Sequence, residues 1–304
     1  ELSAYGIDDL DVILAALNLG WSEEVLDELE DYDYDEAILT EAKLNILERQ
    51  NRIEEYLKLC LEAGEYRRYI LKQIEVGEFE KAKEVAWKTL TLASEALMVA
   101  MALRDAGHLL DALRLAEKGL DLDGSKHDLG TWLGPIEEAQ GQIDKAIQAY
   151  QAAFTSLPSL TLYGILKKLS GMNWGNLKPI LMQILQASPH MDVLVDVYLS
   201  EEEWDIAISI AKKAGEWNYS LIEKVANAVI PFRPDWVIQA SRKQAEGLIA
   251  KTQSKYYAAA ARWLAKMKQA YLTAGRKEEW LSYLEGLKST YSRRPALQAE
   301  LRKL

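Results

Sequence analysis

Apolar positions repeat with the period of an α-helix along almost the whole chain. Ile143, Ala146, Ile147, Tyr150, Ala153 and Phe154 lie three, four, seven, ten and eleven residues on from the first, which is one helical face. Leu109, Ala112, Leu113, Ala116 and Leu120 repeat the spacing, and residues 36–61 carry Leu44, Leu47, Ile53 and Leu57 in a Glu-rich helical context. Pro158, Pro179, Pro189, Pro231 and Pro234 fall where helices start or connect. Alternating β-branched runs bounded by turn pairs do not occur, so the pattern predicts an all-α fold.

Between the helices a short phrase recurs. Gly77, Phe79 and Ala82, then Gly107, Leu109 and Ala112, then Gly141, Ile143 and Ala146 each read as glycine, an apolar residue two later and alanine five later. A fourth copy has Glu202 for the glycine but keeps Trp204 and Ala207. Glycine tolerates the left-handed backbone that ends a helix and turns the chain back. The alanine is small, as expected where the second helix crosses closest to the first.

These residues resemble the tetratricopeptide repeat (TPR). Leu133 and Gly134 match the first helix of that family, and Gly141, Ile143, Ala146, Tyr150, Ala153 and Pro158 match its turn, second helix and closing proline. The chain departs from the pattern at Gly130, where the family prefers Trp, and at Glu137, where it prefers Tyr. Pro135 also falls inside the first helix, which is therefore expected to be short or broken. The resemblance implies antiparallel helix pairs stacked into a right-handed superhelical solenoid, with a concave face that receives a protein or peptide. In that register the lining positions are Leu97, Met101 and Arg104 in one repeat and Thr131 and Glu138 in the next.

Charge is unevenly spread. Residues 1–60 carry 17 acidic and 4 basic side chains, whereas residues 233–304 carry 6 acidic and 15 basic ones. This suggests three segments: an acidic helical cap over 1–64, TPR-like repeats over 65–232, and basic helices continuing the solenoid over 233–304. The net charge of −11 argues against nonspecific nucleic-acid binding by the chain as a whole. The acidic run from Glu23 to Glu36 is either an exposed helix end or a surface that meets the basic tail of a second copy. No run of about 20 apolar residues is present to cross a bilayer, and the acidic opening is unlike a secretory signal, so a cytoplasmic location is expected. The first residue is Glu1 and not Met, as expected of a piece of a longer chain.

From Pro234 the text changes, with Trp236, Tyr256-Tyr257, Arg262-Trp263-Leu264, Tyr271, and then Gly275 through Trp280, Tyr283 and Leu287. This is similar to the C-terminal helical region of bacterial SWIM zinc-finger proteins, whose zinc motif lies ahead of that region. The motif is missing here because Cys60 is the only cysteine, so the resemblance implies zinc only in a preceding part of a parent protein and no cofactor in this chain. Lys251, Lys255, Arg262 and Lys266 read as a basic stripe on one long helix behind an aromatic face. The stripe is either a solvated face or a contact for an acidic partner, nucleic acid included.

No catalytic signature is present: the phosphate loop, the His-Glu-x-x-His helix and the nucleophile elbow are all missing. His108, His127 and His190 are far apart in sequence and read as surface or capping residues. Asp121 to Asp128 faintly resembles a calcium loop, but the positions that need Gly and Glu hold Lys126 and Trp132, so a turn fits better. Cys60 reads as a buried structural thiol, and the tryptophans as filling between helix pairs. The expectation is a non-catalytic scaffold for a protein or peptide, with no small-molecule substrate and no membrane contact. The alternative is a nucleic-acid-associated module that uses the basic tail.

Overall fold

The computed structural model describes residues 36–304 apart from 216–217, with side chains from residue 40 onward. The acidic run, all but its last residue, lies outside the described residues. Backbone contacts divide the chain into two units, one ending at Leu157 and one beginning at Pro158. That division coincides with neither of the segment limits suggested by charge.

The first unit is built from α1 (Glu36–Arg49), α2 (Ile53–Glu62), α3 (Tyr66–Glu75), α4 (Phe79–Thr89), α5 (Ala93–Asp105), α6 (Leu109–Gly119), α7 (His127–Ala139) and α8 (Ile143–Ser156). Each odd-numbered helix packs against the even-numbered helix after it. The first helices α3, α5 and α7 also pack on one another in succession, so the pairs stack through one shared layer. Strand pairing among the described residues is limited to one bridge between Leu92 and Asp123.

One turn geometry makes the pairs. Gly77, Gly107 and Gly141 have φ of 83°, 89° and 75°. The next residue donates its N–H to the carbonyl five residues back: Glu78 to Gln73 at 2.8 Å, His108 to Leu103 at 2.8 Å and Gln142 to Glu137 at 2.9 Å. This closure satisfies carbonyls that the helix end would leave orphaned. Gly64 and Gly275 repeat it, and so do two non-glycine residues, Asn51 at φ 55° and Glu202 at φ 60°. Glu202 bears the strain of a side chain in the left-handed region, so Glu202→Gly is expected to raise the thermal midpoint by the equivalent of up to about 1 kcal/mol. A lower midpoint would place the left-handed turn elsewhere.

The residue five positions after each turn is always buried, but it is not always small. Ala82, Ala112, Ala146 and Ala207 fill the slot in four turns, while Tyr56, Tyr69 and Trp280 fill it at Asn51, Gly64 and Gly275. The apolar residue two positions after the turn is not core: Leu109 and Ile143 stay partly in solvent. Phe79 instead lies against His108 of the following turn, with ring centroids 3.9 Å apart and the planes tilted by 33°.

In the α7–α8 pair the closest approach lies a turn beyond Ala146. A Cβ on Gly130 would stand 2.2 Å from the Ala149 carbonyl oxygen and 2.9 Å from the Ala153 Cβ, and one on Gly134 would meet the Tyr150 ring at 2.6 Å. Ala146 is nonetheless fully buried, so Ala146→Leu is expected to cost about 1–3 kcal/mol by overpacking, read as a lower melting temperature. The helix expected to break at Pro135 does not: α7 runs through it from His127 to Ala139. Two features permit this. Pro135 faces solvent, and the residue before it is Gly134, which has no Cβ to collide with the proline ring.

The second unit holds α9 (Leu160–Ser170), α10 (Trp174–Ala187), α11 (Met191–Ser200), α12 (Trp204–Lys213), α13 (Tyr219–Val229), α14 (Pro234–Ala250), α15 (Tyr257–Thr273), α16 (Lys277–Thr290) and α17 (Pro295–Leu301). The helices α9, α11 and α13 pack in succession as the first helices do in the other unit. The two 17-residue helices α14 and α15 then form a long antiparallel pair, on which α16 and α17 close. Val225, Val237, Trp263, Leu264, Met267 and Trp280 lie in its core. The fold is thus all-α and built of TPR-like helix pairs.

Candidate functional site

The five positions expected to line a concave face sit on two consecutive first helices, Leu97, Met101 and Arg104 on α5 and Thr131 and Glu138 on α7. None is buried: Met101 is exposed, and the other four are half-buried. Arg104 links the two helices. Its guanidinium lies 5.7 Å from the Trp132 ring centroid on α7, close enough for a cation–π contact, and it also pairs with Asp105 at 2.8 Å. Thr131 donates its hydroxyl back to its own helix, to the His127 carbonyl at 2.8 Å.

Two residues outside that register belong to the same surface. Met98 is exposed beside Leu97 and Met101, and Trp132 carries Arg104 on its face while its Nε1–H finds no acceptor among the described residues. Both adjoin expected positions in sequence. The register of the resemblance left them out because it counts only the positions that regular repeats turn inward.

The basic stripe is corrected. Its four residues do not share one helix: Lys251 follows the end of α14, Thr252 adopts φ 55°, and Lys255 sits in a 3-10 turn before α15 begins at Tyr257. Lys251 and Lys255 both lie over the Tyr256 ring, at 4.7 and 5.1 Å. Arg262 and Lys266 do lie on α15, but Lys266 pairs with Glu223 at 3.1 Å and donates to the side-chain Oδ1 of Asn227 at 2.8 Å. One of the four charges is therefore already answered within the fold.

The remaining candidates are placed as follows. Cys60 is fully buried, and burial pushes its thiol up to about 11, so it is held as the neutral thiol. His108 and His190 precede helices, and His127 opens α7. In the segment Asp121–Asp128, the Asp123 backbone bonds to Thr91 and Ala93, both at 2.9 Å. Trp263 and Trp280 fill the core as expected, but Trp87 is 53% exposed, with the Lys118 ammonium 4.6 Å from its ring centroid.

No family model matches the sequence. No curated protein matches it either. Among solved structures, the C-terminal part of a TPR repeat-containing protein from Cytophaga hutchinsonii is similar, at 15% identity over 78% of this chain and 98% of that one, with a TM-score of 0.27. The TPR-like character stands on the recurring turn and on the layered first helices. Among the described residues, no helix is long and apolar enough to cross a membrane.

Proposed function

We propose that the protein is a non-catalytic, cytoplasmic scaffold that holds a protein or peptide on the face made by α5 and α7, with Leu97, Met101, Arg104, Thr131 and Glu138 as contact residues. The observation that carries this reading is the bridge from Arg104 to Trp132 beside exposed Met98 and Met101. Adjacent repeats present one surface there, apolar and adaptable, with a cation at its edge. Helical-repeat proteins commonly bind through such a layer of first helices.

The test is a photo-crosslinking residue placed in living cells at Met101 or, as a control, at exposed Gln148 on α8. The reading expects a discrete crosslinked protein from Met101 that disappears in Arg104→Glu, and none from Gln148. The same pattern from both positions overturns it. A SWIM zinc-finger parent rests on residues 234–287 alone. Paired cysteines and a histidine encoded ahead of Glu1 would support it, and their absence there would remove it.

A further inference from the structure

The ends of α14 and α16 meet at one corner of the second unit. Arg294, in the turn between α16 and α17, donates from Nη1 to the Ile249 carbonyl at 3.0 Å, and the Thr252 N–H reaches the same carbonyl at 3.2 Å. A cation there answers the partial negative charge at the end of α14. The bond also brings residues 291–294 against the 251–256 connection, so that Arg293 and Arg294 join Lys251 and Lys255. Lys251, Lys255 and Arg293 are exposed, and Arg294, half-buried, lies 4.7 Å from the Tyr291 ring centroid. No Asp or Glu occurs in residues 247–277 or 286–299. Of the carboxylates bordering those stretches, Glu246 accepts from Tyr283 at 3.1 Å, Glu285 pairs with Lys288 at 3.5 Å and Glu300 pairs with Lys303 at 2.8 Å, while Glu278 stands at the far end of α16. Among the described residues none of the four cations forms an ion pair with a carboxylate. Arg233 and Arg276, at comparable turns of the same unit, are paired with Asp205 and Asp235.

We propose that this corner docks a second copy of the same chain, which offers its acidic run Glu23–Glu36. That run holds nine carboxylates in fourteen residues and no Lys or Arg, so it supplies the charge the corner lacks, at the same molar concentration as the corner itself. Two copies of net charge −11 repel one another at long range, but at physiological salt their fields are screened beyond about 8 Å, and the local match of charge decides. A single exposed ion pair contributes little, so the contact depends on several cations acting together. A nucleic acid would carry its charge past the rest of an acidic chain, and both rings in the corner are already engaged by cations, which favours a carboxylate-rich segment over stacked bases. Because the two surfaces differ, the contact is heterologous and builds rings or open rows of copies. It is separate from the α5–α7 face.

The test is sedimentation velocity of the full chain over a range of concentrations, in about 100 mM and about 1 M salt, where charges are screened beyond about 10 Å and about 3 Å. The sedimentation coefficient is expected to rise with concentration in the dilute salt only. A corner variant with Lys251→Gln, Lys255→Gln and Arg293→Gln is expected to associate about tenfold more weakly, as loss of more than one charge-assisted contact should. Arg67→Gln, Lys168→Gln and Lys277→Gln together make the same change in net charge at exposed positions on α3, α9 and α16 and are expected to leave association unchanged. A run variant with Glu28→Gln, Glu30→Gln, Asp31→Asn, Asp33→Asn and Asp35→Asn is expected to fail alone like the corner variant. Mixed, the two are expected to form a one-to-one complex that grows no further, since each then keeps one intact surface. Far-UV circular dichroism verifies that every variant is folded. The proposal is overturned if the wild type stays monomeric in dilute salt, if its association ignores salt, if the scattered substitutions weaken it as much as the corner ones, or if the mixture stays monomeric. A monomeric wild type that binds a single-stranded oligonucleotide through the same three cations would overturn it in favour of a phosphate backbone.

Discussion

Gly130→Ala is expected to lower stability by about 3 kcal/mol, although helix propensity alone favours alanine over glycine by about 1 kcal/mol. The sign reverses because of where the new methyl lands. Its Cβ would stand 2.2 Å from the backbone oxygen of Ala149, which cannot rotate aside as a side chain can, so α7 and α8 would have to move apart. That separation also loosens Ala153 and Tyr150, both fully or nearly fully buried in the same crossing. Gly164→Ala is the control: this glycine lies inside α9 with open space where its Cβ would go. It should gain up to about 1 kcal/mol. Urea unfolding of the two variants thus predicts midpoints that move in opposite directions. If both rise, the close crossing at Gly130 is misplaced.

The same crossing shows why only part of the fold is legible in the sequence. The glycine-and-alanine phrase is visible because each position has one dominant demand, a left-handed backbone at the turn and burial five residues on. Where a different residue meets the same demand, the phrase disappears although the structure persists. Asn51 and Gly275 make the same turn as Gly77, but Tyr56 and Trp280 occupy the buried slot in place of alanine. Gly130 looked like a failed match to a tryptophan position, yet it is the residue that lets two helices touch. The basic stripe failed for the opposite reason. Helical spacing continues through residues 251–256 by coincidence, while Thr252 in the left-handed region breaks the helix there. The proposed contact face was legible one helix at a time. The link between Arg104 and Trp132 depends on how one repeat sits on the next, which no local spacing encodes.

Glu137 is the other place where the chain departs from the TPR pattern, and there the departure should cost stability. The side chain is 1% exposed, and its Oε1 has no hydrogen-bond partner among the described residues. Burial pushes its pKa above the usual carboxylate range, and the neighbouring Glu117 carboxylate pushes it further. Lys145 offsets this only in part, because it is paired to Glu117 at 2.6 Å. A carboxyl whose folded value exceeds its unfolded value stabilises the fold when protonated. Its contribution is complete below the unfolded value of about 4.3 and is lost as pH rises through the folded value. At pH 7 the wild type therefore carries either a buried charge or the free-energy cost of holding a proton there. Glu137→Met, close in volume and without polar atoms in need of partners, is expected to raise stability at pH 7 by about 1–3 kcal/mol. The gain should shrink as pH is lowered toward 4, where the wild-type carboxyl is protonated in both states. Thermal melts of the two proteins across that range provide the test. A variant no more stable than the wild type at pH 7, or a gap that does not narrow in acid, would mean that Glu137 finds a partner on folding and that its burial carries no penalty.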